Sequence, residues 1–211
     1  MSSTLHYIYD PLCGWCYGAA PLVRAVRDLP GVTIALHGGA MFSGANRQPV
    51  TDQLRNYVVQ HDRRISALSG QTFGQDYFDI LLRDHTAVFD SDPPIAAILA
   101  AQALDGNGLD MLARVQTAHY IDGRRVSDRA VLVALAQEIG LDTAAFEREF
   151  DAAAPRVATH ARESNTLLRS VGGGGYPTFA LERDGAMRLL SPGPYLGKPQ
   201  AWRDAVAAAA S

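Results

Sequence analysis

The chain has 211 residues, 47% of them hydrophobic, which suits one large domain or a domain carrying an insertion. Its net charge is −3, and basic residues stand singly or as the pairs Arg63-Arg64 and Arg124-Arg125, read as solvated helix surface, which excludes a continuous cationic face for nucleic acid. No stretch approaches the roughly 20 apolar residues of a membrane span, and Met1-Ser2-Ser3-Thr4 lacks the basic region of a signal peptide, so a soluble cytoplasmic protein with no membrane partner is expected.

Residues 5–9, Leu5-His6-Tyr7-Ile8-Tyr9, read as a buried strand, and about 14–28 as a helix with Leu22, Val23 and Val26 on its apolar side. Val32 to Leu36 is a second strand, completing a β-α-β unit that Gly38-Gly39 ends. From about Val50 to Ser170 a series of helical patterns follows, with no convincing strand. Thr51, Ser91-Asp92 before Pro93-Pro94, Ser127-Asp128 and Asp142 stand where N-caps belong, and Gly106-Asn107-Gly108 and Gly140 where helices stop. Strand character returns at Thr178 to Leu181, and Asp184-Gly185 signals a hairpin into Met187 to Leu190. Gln200 to Ala210 closes the chain as a helix, with Trp202 and Val206 one turn apart. The expected organisation is therefore α/β: a β-α-β and β-β-α domain over 1–49 and 171–211, with an all-helical subdomain inserted at 50–170.

The only two cysteines form Cys13-Gly14-Trp15-Cys16, between the first strand and the first helix. Cysteines at i and i+3 on a helix lie on neighbouring turns, about 5–6 Å apart at Cβ, so a disulfide between them opens and closes with little movement. The unpaired N–H groups and the dipole at a helix start favour an anion. Cys13 is thus the expected nucleophile and Cys16 the resolving partner. A purely structural staple closing so short a loop would contribute only about 2 kcal/mol. A zinc site needs four ligands, yet there is no second cysteine pair and the six histidines are scattered, so no metal site is expected. Gly172-Gly173-Gly174-Gly175 lacks the lysine of a phosphate loop and reads as a flexible approach to Pro177, which implies no nucleotide cofactor.

The element order, the Cys-x-x-Cys at the start of the first helix, the run Asp10-Pro11-Leu12-Cys13-Gly14-Trp15-Cys16-Tyr17-Gly18, the segment His119 to Asp128 and the downstream Gly175-Tyr176-Pro177-Thr178-Phe179 together resemble the DsbA family of thioredoxin folds, most closely its FrnE-like branch. The resemblance spans nearly the whole chain and implies a thiol–disulfide oxidoreductase or isomerase. It implies further that the Tyr176-Pro177 bond is cis, that Pro177 faces the cysteine pair, and that the Tyr176 backbone pairs with an extended substrate. Leu12, Trp15, Tyr17 and Tyr176 are the expected apolar rim around the sulfurs. Where the strongest oxidants of the family carry Pro-His between the cysteines, this chain has Gly14-Trp15, which points to an intermediate redox poise. Asp10 either caps the helix, with Pro11 at its first position, or lies near the sulfur and disfavours its thiolate. Expected partners are thiol- or disulfide-containing proteins or small molecules, with glutathione or a thioredoxin system as electron partner. The alternatives are a glutathione-dependent isomerase or transferase of the same fold, resembling 2-hydroxychromene-2-carboxylate isomerase, and a metal-binding or chaperone module.

Overall fold

The computed structural model describes residues 3–211 and places a four-stranded sheet between two layers of helices. Strand β1 (Ser3–Tyr9) runs into helix α1 (Gly14–Val26), which returns to β2 (Val32–Gly38). Strands β5 (Thr178–Arg183) and β6 (Ala186–Leu190) enter the same sheet much later in the chain, giving the spatial order β2-β1-β5-β6. β1 is parallel to β2, with Tyr7 beside Leu36, and antiparallel to β5, with Tyr7 beside Phe179. The hairpin turns on Asp184 and Gly185, both at positive φ (50° and 78°), the pair of left-handed residues that a two-residue turn matching strand twist requires.

Alternation along β1 sends Leu5, Tyr7 and Tyr9 to one face. There Tyr7 stacks on Phe179 at 4.7 Å, and Phe179 meets Trp202 of helix α9 (Pro199–Ala210) edge-on at 5.1 Å. Between β2 and β5 in sequence comes a run of helices. These are α2 (Asp52–Ser69), α3 (Gln75–Asp79), α4 (Asp92–Asp105), α5 (Gly108–Tyr120), α6 (Arg129–Glu138), α7 (Thr143–Ala153) and α8 (Val157–Ser170). Among them α4 and α8 touch the sheet: Ile95 fills the space above Gly38, and His160 accepts the Gly38 N–H at 2.9 Å. No helix among the described residues is long and apolar enough to cross a membrane.

Thr51 and Asp142 cap α2 and α7 through their side chains, each accepting from the N–H three residues on. Ser91 precedes α4 but does not cap it; its hydroxyl serves Asp10 instead. The expectation of no strand after Val50 is corrected by β4 (Val88–Phe89), which pairs with β3 (Gln48–Pro49) in a two-residue antiparallel ladder. Arg124 and Arg125 are not helix surface either. They lie between α5 and α6, where Arg124 pairs with Glu138 at 2.8 Å and Arg125 with Asp84.

Candidate active site

Cys13 is the N-cap of α1, with extended backbone angles, and its carbonyl accepts from the N–H groups of Cys16 and Tyr17. The two cysteines are free thiols of unequal access: Cys16 is 0% exposed, whereas Cys13 borders a cavity. Across from them the Tyr176–Pro177 peptide is cis, and the Cys13 thiol donates to the Tyr176 carbonyl at 3.5 Å. The Tyr176 ring lies so close over Gly39 that a Cβ there would fall 2.2 Å from it; its hydroxyl donates to the Gly39 carbonyl and to Asn165. Glycine at 39 is therefore what lets the loop after β2 hold the proline loop against the sulfur.

Of the two sequence-based alternatives for Asp10, the capping one does not hold. Asp10 does not cap α1, since Cys13 takes that place and Pro11 stays outside the helix. Its fully buried carboxylate accepts from the Leu12 N–H at 2.9 Å, the Met41 N–H at 2.6 Å and the Ser91 hydroxyl at 3.0 Å. Burial outweighs these three bonds and pushes the carboxyl up to about 6. The Asp10 N–H points at Cys16 Sγ at 3.5 Å. Burial first, then the neighbouring Cys13, and in smaller part the Asp10 charge push the Cys16 thiol well above its ordinary value.

A cavity of about 810 Å³ opens in front of Cys13, walled by α1 on one side and by α2 with the β3 and β4 segments on the other. Two glycines one turn apart let α1 and α2 approach: a Cβ at Gly14 would lie 2.8 Å from Asp62 Oδ1 and 2.9 Å from Ile65 Cδ1, and one at Gly18 2.6 Å from Ile65 Cγ2. Gly14→Ala is expected to lower stability by roughly 1–2 kcal/mol despite alanine's better helix propensity, because overpacking against α2 outweighs it. A urea midpoint equal to wild type would show that α2 yields at no cost. Behind the cavity Asp62 is 3% exposed and accepts from the Tyr77 hydroxyl at 2.9 Å.

Leu12, Cys13, Trp15 and Tyr176 line this cavity, whereas Pro177 adjoins it through the cis peptide and Cys16 lies behind Cys13. The Arg64 guanidinium sits 5.9 Å from the Trp15 ring. Tyr17 is a correction. It points into the core, stacking on Tyr120 at 4.6 Å and donating to the Thr72 carbonyl at 2.7 Å, because its ring fills the space between α1 and α5. Asp62, Tyr77 and Tyr120 were not anticipated as site residues, and all three line the cavity. The signal for Asp62 was a carboxylate in register with Ile65 and Ser69, the buried stripe of α2.

The DSBA-like thioredoxin domain matches this chain over residues 4–193. The cytosolic disulfide reductase DsbM from Pseudomonas aeruginosa is 53% identical over 98% of both chains, with a TM-score of 0.92. Its structure with GSH matches at 50% identity over 98% of both chains, TM-score 0.90. A putative protein disulfide isomerase from Nitrosomonas europaea, 20% identical over 97% of both chains at a TM-score of 0.80, shares the fold. No curated protein matches the chain.

Proposed function

Because the chain belongs to the family of DsbA-like thioredoxin domains, we propose that it is a cytosolic disulfide reductase drawing its electrons from glutathione, with Cys13 attacking and Cys16 resolving. Thiol–disulfide exchange is the activity of this chain. The observation that carries the finer reading is the asymmetry of the pair: Cys13 faces a cavity, and Cys16 waits fully buried behind it. Reduced Cys13 attacks a substrate disulfide, one substrate sulfur leaves as thiol, and Cys16 then displaces the other to close the 13–16 disulfide. Two glutathione thiols reopen it, leaving as glutathione disulfide. A cavity of 810 Å³ lies within the range of small-molecule sites and admits a tripeptide thiol. Leu12, Trp15 and the Tyr176 backbone beside Pro177 are the substrate contacts in this reading.

The direction follows from the electrostatics behind the pair. Whatever disfavours a thiolate makes the dithiol a better reductant, and the burial and Asp10 charge act in that sense on Cys16. A glutathione adduct on Cys13 would also be expelled by Cys16, which disfavours an isomerase that must hold glutathione through its turnover. Equilibration in glutathione buffers tests the proposal. The expected potential lies nearer thioredoxin's value of about −270 mV than the −120 mV of the strong oxidant of the family. A value near −120 mV would overturn the reductase direction, and failure of glutathione to reduce the 13–16 disulfide would overturn the electron source.

A further inference from the structure

The exchange chemistry leaves a buried carboxyl at the cavity without a task. Asp62 comes from α2, far from the cysteines in sequence, yet its Oδ1 presses on Gly14, the residue after Cys13, closely enough that no Cβ fits between them. Its other oxygen is held by the Tyr77 hydroxyl. No salt bridge among the described residues neutralises it, and it shares the cavity wall with Cys13. Tyr77 of α3 bonds to it and Tyr120 of α5 lies near it, while Cys13 and, from its own helix, His61 line the same cavity. An unpaired carboxyl in an apolar wall is costly to keep, and the simplest physical use for it is to hold a proton where a thiol must gain and lose one.

We propose that Asp62 is the proton carrier of the exchange reaction, taking the proton from the Cys13 thiol and returning it to the sulfur that leaves the substrate disulfide. The Cys13 S–H bond breaks and its proton passes to the Asp62 carboxylate; the thiolate electron pair forms the new S–S bond. The substrate S–S bond breaks with its pair on the departing sulfur, which takes the proton from the Asp62 carboxyl and leaves as a thiol. The net change is Cys13 thiol plus disulfide giving mixed disulfide plus thiol, with no proton drawn from solvent. Burial pushes the Asp62 carboxyl up to about 7 against the opposing Tyr77 bond, so both forms of the carrier are populated at neutral pH.

The inference rests on Cys13 being the attacking sulfur, and the test separates the two. In a Cys16→Ser background, the rate of attack of the reduced protein on glutathione disulfide is measured from pH 5 to 9 beside the rate of alkylation by iodoacetamide, whose leaving iodide needs no proton. Asp62→Asn is expected to slow the disulfide reaction about 10²-fold at pH 7 and to erase its inflection near pH 7, while alkylation, which needs the proton's removal but not its return, falls by a much smaller factor. An unchanged disulfide rate and profile, or alkylation falling in parallel, would overturn the proposal, the latter by showing that Asp62 only positions Cys13. Should Asp62→Asn not fold, Tyr77→Phe removes the bond that favours the carboxylate, and the inflection must then move to higher pH; one that stays in place overturns the proposal equally. A Cys16→Ser protein that takes up no label at Cys13 would instead refute the assignment of the attacking sulfur.

Discussion

Replacing Cys13 by serine is expected to reduce thiol–disulfide exchange to the uncatalysed rate, whereas Cys16→Ser leaves Cys13 open to rapid alkylation and traps a mixed disulfide with glutathione. A serine hydroxyl is not ionised near neutral pH and forms no bond equivalent to the mixed disulfide, so nothing at position 13 replaces the sulfur. Cys16 cannot take over. It is fully buried beneath α1, its sulfur faces the Asp10 N–H rather than the cavity, and burial and the adjacent charges hold it as a thiol. In Cys16→Ser the attack at Cys13 proceeds but no second sulfur displaces the adduct. Intact-mass measurement after exposure to glutathione disulfide should therefore show near-complete single adduct in Cys16→Ser and none in Cys13→Ser. Preferential labelling of Cys16 in the reduced wild-type protein would reverse the two roles.

The parts of this molecule that were legible in the sequence are those whose signals are local. Cys13 and Cys16 announced themselves by spacing and by the strand before them. The hairpin followed from Asp184-Gly185, because two adjacent residues at positive φ leave few choices of residue, and Thr51 and Asp142 cap the helices they precede. The obscure parts depend on partners distant in the chain. Ser91 has the sequence of a cap, but Asp10, brought beside it by the fold, takes its hydroxyl. Tyr17 sits beside the cysteines in sequence, yet its helical position turns it to the core rather than to the cavity. Gly14 reads in sequence only as a helix start between the two cysteines and proves to be a contact with α2. The β3–β4 ladder joins distant segments by two residue pairs, too short for any alternation to reveal.

Asp62→Asn is also expected to change how stability depends on pH, and by more than any other single charge substitution in the site. The folded-state carboxyl titrates at about 7 against 3.8 for the ordinary group, so between those values the folded protein binds a proton the unfolded chain has released. Stability contributed by Asp62 is then lost as pH rises through this window, on the order of 4 kcal/mol in total at about 1.4 kcal/mol per pH unit. Asp10, raised to about 6, acts in the same sense. His119 and His37 oppose them: burial lowers the first to about 3 and the second to about 4, so the unfolded chain holds the extra protons up to about pH 6.5 and stability rises with pH. His160 is lowered as well and adds to the rise. With two carboxyls against three imidazoles the opposing slopes nearly cancel, so wild-type stability should change little between about pH 4.5 and 7. Removing the Asp62 titration leaves the histidines dominant, so urea unfolding of Asp62→Asn should show stability climbing with pH across the same range. Relative to wild type the variant gains steadily from about pH 4 to 7, whatever constant penalty the amide carries beside Tyr77. Parallel wild-type and variant curves would mean that Asp62 is already ionised at low pH in the folded protein. A variant that is more stable at about pH 8 yet slower in exchange would place the buried charge among the features retained for chemistry at the expense of the fold.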